Sequence, residues 1–143
     1  MKTLQQLIDG KKYKEVISIA PNRPVFDALV IMAEYKIGAL VVLEGEKLVG
    51  IFSERDYARE VILKGRSSKT THITDVMTHD VVYGHPDDTV AHAMTVMTSR
   101  NFRHMPVVKD DKVVGILSLG DLAKETILYQ QRLIKELESY IGN

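Results

Sequence analysis

The 143-residue chain contains no cysteine. That excludes a disulfide scaffold, a thiolate metal site and a cysteine nucleophile. It carries no net charge, with 19 Lys and Arg against 19 Asp and Glu, which lends no support to an extended phosphate-backbone footprint. It also lacks a long apolar run. The longest, Ile37 to Leu43, falls far short of the roughly 20 residues a membrane-spanning helix needs. The start, Met1-Lys2-Thr3-Leu4-Gln5-Gln6, has a lysine but no apolar stretch behind it, so it does not read as a secretory signal. What is present is ordinary for a globular protein: 45% apolar and 27% charged residues. The expectation is a soluble, cytoplasmic α-and-β protein, of one domain or of two small ones sharing a core.

Displaced by 65 residues, the sequence overlays itself without a gap. Val16-Ile17-Ser18-Ile19-Ala20-Pro21 meets Val81-Val82-Tyr83-Gly84-His85-Pro86. Lys47-Leu48-Val49-Gly50-Ile51-Phe52-Ser53 meets Lys112-Val113-Val114-Gly115-Ile116-Leu117-Ser118, and Asp56, Ala58, Glu60 and Ile62 meet identical residues at 121, 123, 125 and 127. Two copies make a pseudo-symmetric pair rather than a solenoid.

Each copy predicts the same elements. A short apolar strand (Val16 to Ile19; Val81 to Tyr83) ends near a proline. A helix follows, its apolar residues Val25, Ala28, Leu29, Met32 and Ala33, or Val90, Ala93, Met94 and Met97, at spacings of three and four. Then come two strands around a polar turn, Ala39 to Leu43 with Leu48 to Phe52, and Met105 to Val108 with Val113 to Leu117. A second helix opens at Ser53 or Ser118. Outside the copies, residues 1 to 14 suggest a short helix broken near Gly10. The stretch Lys64 to Thr71 is a polar linker, and Leu122 to Ile141 carries a long amphipathic helix pattern.

Two strand-helix-strand-strand-helix copies, each closing its hairpin with Gly-apolar-apolar-Ser-x-x-Asp, resemble the tandem cystathionine-β-synthase (CBS) domain pair, or Bateman module. The residues that carry the likeness are Gly50-Ile51-Phe52-Ser53-Glu54-Arg55-Asp56 and Gly115-Ile116-Leu117-Ser118-Leu119-Gly120-Asp121. Thr74-Asp75-Val76-Met77-Thr78 also looks like the entry to a second CBS repeat. The likeness covers about residues 12 to 128. It implies an α+β (mixed α/β) fold of two pseudo-twofold-related β-α-β-β-α repeats packed into one module. The expected organisation is an N-terminal helical segment at 1–14, repeat one at 15–64, a linker at 65–75, repeat two at 76–128 and a C-terminal helix extension at 129–143. It further implies a standalone regulatory module without catalytic activity. Such a module binds AMP, ADP, ATP or NAD in clefts between the repeats, forms dimers and modulates another protein.

The Ser-x-x-Asp turns support a ligand site on their own chemistry. A strand running into a helix leaves unpaired N–H groups that favour an anion. Ser53 and Ser118 sit at that junction and can donate to a phosphate or ribose oxygen. Asp56 and Asp121, three residues on, can accept from ribose hydroxyls. The same spacing also describes a helix capping box, and the two roles can coexist. Phosphates call for cations. The resemblance places Arg103 and His104, at the strand entry of the second copy, beside the phosphates. The first copy has Ile37 and Gly38 there, suited to close approach of a base. Arg55, with Arg59 four residues on, could face a polyphosphate, Arg59 serving equally as a solvated partner of Glu60 or Asp56. The family's adenine walls fall on Ile17, Ser18 and Ile37 on one side and Val82, Tyr83 and Phe102 on the other. Core packing is the competing role for Ile17 and Val82.

Other readings are weaker. His72, His79, His85 and His92 share no helical or strand face, so no metal is expected. Gly65-Arg66-Ser67-Ser68-Lys69-Thr70 lacks the second glycine of a phosphate loop. There is no nucleophile elbow or cofactor fingerprint, so no enzyme is expected. The remaining alternative is an interaction and dimerisation module that works without a ligand through the C-terminal helix.

Overall fold

The internal repeat is preserved in hydrogen-bonding register. A computed structural model describes residues 1–12 and 15–142. Tyr13 and Lys14, at the end of the expected N-terminal segment, and Asn143, at the end of the expected extension, lie outside the described residues. In the first copy, β1 (Ser18–Ile19) runs parallel to β2 (Ala39–Glu44), which pairs antiparallel with β3 (Lys47–Ser53). Ile19 stands opposite Val42. In the second copy β4 (His104–Lys109) pairs with β5 (Lys112–Ser118), and Gly84 bridges Val107 in parallel, 65 residues on from the Ile19–Val42 pair.

The strand expected at Val81 to Tyr83 does not form. The Gly84 amide donates to the Pro106 carbonyl at 2.8 Å and the Val108 amide to the Gly84 carbonyl at 2.9 Å. Continuing that parallel ladder back toward Val82 would need an amide N–H from residue 106, and proline has none. Strand β1 is also shorter than the four residues expected from Val16 to Ile19.

Helices α2 (Val25–Tyr35) and α4 (Val90–Arg100) keep the predicted apolar stripes, with Val25, Ala28 and Met32, and Val90, Ala93 and Met97, buried. Ala33, expected on the apolar face, is exposed. Thr89 caps α4 by accepting from the His92 amide at 3.1 Å, whereas Pro24 begins α2 without a side-chain cap. Both helices end on a left-handed residue, Lys36 and Asn101, again 65 apart. The helix expected after Ser53 starts as one α-turn, α3 (Glu54–Asp56), and continues as a π-helical stretch, Tyr57–Ile62. After Ser118 the helix is regular and long, α5 (Leu119–Ile141).

The chain divides into two units. One contains residues 15–82 with 110–113, and the other residues 1–14, 83–109 and 114–143. Helix α1 (Leu4–Asp9) therefore folds with the second copy. The reason lies in its hydrogen bonds. The Leu4 and Gln5 amides donate to Asp88 and Pro86 carbonyls, and the Val90 amide donates to the Lys2 carbonyl. In the other unit, the Ile73 and Thr74 amides donate to Arg23 and Pro21, and the Val25 amide donates to Thr71. Residues 2–8 thus serve the second copy as residues 71–77 serve the first, at an offset of 69 rather than 65. Leu4 and Ile73, the matching anchors, are fully buried, each worth about 1.5–3 kcal/mol of apolar burial. The two arms share a polar-apolar pattern but no identical residue, so no identity in the sequence marks them as equivalent.

Each unit has its own apolar cluster: Phe52, Leu40, Val42 and Val61 with the Ile73 arm in one, and Leu117, Met97, Val107 and Leu122 with the Leu4 arm in the other. Among the described residues Glu125 is the buried charge, held by Arg132 at 3.1 Å and Lys2 at 3.7 Å. No helix among the described residues is long and apolar enough to cross a membrane.

Candidate functional site

Both Ser-x-x-Asp turns form full capping boxes. Ser53 Oγ accepts from the Asp56 amide at 3.2 Å, and Asp56 Oδ2 accepts from the Ser53 amide at 2.9 Å and the Ser53 hydroxyl at 3.1 Å. Ser118 Oγ accepts from the Asp121 amide at 3.0 Å, and Asp121 Oδ2 accepts from the Ser118 amide at 2.8 Å. The capping role weighed from the sequence is therefore present in both copies.

A second pairing closes each turn. The Glu54 amide donates to the Gly38 carbonyl at 3.1 Å, and the Leu119 amide donates to the Arg103 carbonyl at 2.8 Å. Two of the leading amides of each helix thus already have acceptors. The N–H groups expected to favour an anion at these helix starts are therefore in part already paired. The second pairing also explains why the strand-two entry belongs to the site: its backbone is tied to the residue after the capping serine. Lys36 and Asn101, left-handed just before it, turn the chain so that Gly38 and Arg103 face the junction.

The copies differ in what else touches the aspartate. Asp56 Oδ1 accepts from the Thr78 hydroxyl at 3.1 Å. Asp121 Oδ2 accepts from Lys11 Nζ at 3.0 Å, a half-exposed ion pair. Burial alone raises the Asp121 carboxyl. The Ser118 amide, Lys11 and the Ser118 hydroxyl outweigh it and hold the group below its ordinary value of 3.8. No local signal in the sequence marks Lys11 or Thr78 as a contact of these turns. Thr78 stands in the quoted repeat-entry motif, and Lys11 lies 110 residues from its partner.

The remaining candidates divide between the units. With residues 15–82 lie Ile17, Ser18, Ile37, Gly38, Ser53, Arg55, Asp56 and Val82, all half-buried. Ile17 and Ile37 pack on the first core, so the packing role holds for Ile17, whereas half-buried Val82 belongs to neither apolar cluster. Ile37 and Gly38 also line an open depression of about 400 Å³ with Leu29, Met32, Lys36 and Glu54, which begins at the first Ser-x-x-Asp turn. Arg59 is exposed. The second unit holds Tyr83, Phe102, Arg103, His104, Ser118 and Asp121. Tyr83 is exposed and meets His85 edge-on, with ring centroids 5.9 Å apart. Phe102 packs on the second core, Arg103 is exposed, and His104 opens β4 half-buried.

The CBS domain profile matches residues 12–63 and 73–127, the two copies. The chain belongs to the CBS domain family. As a CBS domain pair it is similar to the structure of a protein with CBS domains from Burkholderia ambifaria MC40-6. The identity is 40% and the TM-score 0.85, over 89% of this chain and 95% of that one. It is 38% identical over 122 residues to the mitochondrial CBS domain-containing protein CBSX3 of Arabidopsis thaliana, covering 82% of this chain and 59% of that protein's length. The CBS domain pair of protein MJ0100, solved in complex with 5′-methylthioadenosine and S-adenosyl-L-methionine, matches with 26% identity and a TM-score of 0.76, over 87% of this chain and 99% of that one.

Proposed function

We propose that this CBS pair is a cytoplasmic regulatory module, without catalytic activity, that binds an adenine nucleotide and modulates a partner protein. The observation that carries the reading is the duplicated turn: in each copy a half-exposed aspartate stands three residues after the serine that caps a helix, beside a strand entry tied to the same junction. Asp56 and Asp121 take the ribose hydroxyls. Ser53 and Ser118, with Arg55 beside the first turn and Arg103 and His104 at the second strand entry, take the phosphates. The depression bordered by Ile37 and Gly38 receives the adenine of the first site, and Ile17 and Ser18 on one side with Val82, Tyr83 and Phe102 on the other keep the adenine-wall roles that the resemblance implies. The adenosine ligands of the MJ0100 pair support the ligand class, and AMP, ADP, ATP and NAD share its adenosine portion. Ligand binding then shifts the population of module conformations and changes the surface offered to the partner.

Mass spectrometry of small molecules released from freshly purified protein tests the reading, followed by calorimetric titration of AMP, ATP and NAD. No adenine compound released, and no heat with any of the three, would leave the ligand-independent interaction module as the better account.

The same module forms a homodimer through α5. Beyond Leu128 nearly every residue of the helix is exposed. Ile127, Ile134 and Ile141 recur at a spacing of seven, with Leu133, Leu137 and Tyr140 beside them, all exposed. A helix exposing a heptad of apolar side chains is stabilised by a second such helix, and the copy always at hand is another molecule of this chain.

A further inference from the structure

The arm of residues 2–8 and the arm of residues 71–77 are equivalent, but their connections to the following strand are not. Six residues, 9–14, lead from the first arm to Glu15, where two, Thr78 and His79, lead from the second arm to Asp80. The four extra residues fall in a stretch that contains Lys11 and Lys12. The shorter connection brings a neutral hydroxyl, Thr78, to Asp56; the longer one brings an ammonium, Lys11, to Asp121. The two aspartates, identical in the sequence repeat, therefore enter binding in different states.

Counting lone pairs makes the difference concrete. A carboxylate oxygen accepts about two hydrogen bonds. Asp121 Oδ2 already accepts from the Ser118 amide and from Lys11 Nζ. The Ser118 amide is fixed by the capping box, so a ribose hydroxyl that uses this oxygen must replace Lys11. At Asp56, Oδ2 accepts from the Ser53 amide and from the Ser53 hydroxyl, which can rotate away at little cost.

We infer that Lys11 is a tethered competitor for the second nucleotide site: its ammonium occupies Oδ2 of the Asp121 carboxylate, and a ribose whose two hydroxyls grip both carboxylate oxygens binds only by displacing it. This rests on the nucleotide reading above and adds a regulator to it. The connection carrying Lys11 sets the affinity of one site and leaves the other alone, so the module answers two ranges of nucleotide concentration.

The test is calorimetric titration of adenosine and of AMP into Asp56→Ala, which leaves the second site, and into the same protein carrying Lys11→Ala. Lys11→Ala is also made in the otherwise wild-type chain, in case Asp56→Ala alone fails to fold. Lys64→Ala, which removes a cation paired to Glu60 in the other unit, controls for net charge. Adenosine has no phosphate, so it reads the competition for the carboxylate alone. Half-exposed ion pairs are worth about 0.2–1 kcal/mol, so Lys11→Ala is expected to tighten adenosine about 1.4- to fivefold. In the wild-type background one site tightens and the other keeps its affinity, and Lys64→Ala changes neither. Equal or weaker adenosine binding in Lys11→Ala overturns the competition while leaving the nucleotide reading standing; weaker binding would make Lys11 a ligand contact. No binding of either compound to the wild type overturns both.

Discussion

Gly50 lies directly under Met77: a Cβ on Gly50 would stand 2.5 Å from the Met77 sulfur and 2.9 Å from the Thr78 carbonyl oxygen. In the other unit, a Cβ on Gly115 would meet Ile8, at 2.9 to 3.2 Å. Each glycine of the repeated Gly-Ile pair is thus the place where an arm presses onto the second strand of a hairpin, and the bare Cα is what lets it approach. Backbone yields less than an isoleucine side chain. Gly50→Ala is therefore expected to destabilise the fold by about 1–3 kcal/mol and Gly115→Ala by less. Urea unfolding checks the order, and the reverse order would contradict the close-approach account.

The capping boxes and the nucleotide reading make separable forecasts for the aspartates. Without ligand, Asp56→Ala and Asp121→Ala should each lose about 0.5–2 kcal/mol of stability, the usual worth of a cap. With nucleotide, each should weaken one site by about 1.5–3 kcal/mol, the worth of a hydrogen bond to a charged group. Melting and calorimetry on the same preparations measure both. Lost stability with intact affinity at both sites would reduce the turns to caps.

The depressed Asp121 carboxyl fixes a direction for pH. Its ionised form is favoured in the folded state, so its contribution is fully present above the unfolded value, near 3.8, and is lost as pH falls through the lower folded value. The stability difference between wild type and Asp121→Asn should therefore be constant at neutral pH and shrink below about pH 4. Removing Lys11 weakens the depression, so in Lys11→Ala the contribution should be smaller and its loss complete at higher pH. Thermal melts between pH 7 and pH 3 follow this directly, and a difference that grows on acidification would show the sign to be wrong.

Helix α5 gives the assembly a mutational handle. Ile134→Glu combined with Leu137→Glu places two charges on a face that is already solvent-exposed in the single chain, so the fold itself should be little affected. Light scattering should read close to twice the 16.1 kDa chain mass for the wild type and the single-chain mass for the double variant. A wild type that scatters as one chain at micromolar concentration would rule out the α5 dimer.

The amino-acid sequence by itself determined the repeat of 65, both hairpins, the apolar stripes of α2 and α4 and the two serine caps. These are local matters: spacing along a helix, alternation along a strand, a side chain reaching three residues on. The strand at Val81 to Tyr83 looked equally local and failed, because strand formation also depends on the partner, and Pro106 withholds the amide that the ladder would need. Tertiary structure alone decided that residues 2–8 fold with the second copy, that they repeat residues 71–77 without sharing an identity, and that Lys11 reaches Asp121. Buried anchors such as Leu4 and Ile73 need only be apolar and of fitting size, so packing conserves a pattern where it does not conserve letters. An ion pair between residues 110 positions apart is set by where the folded chain brings its two ends, which no spacing in the sequence records.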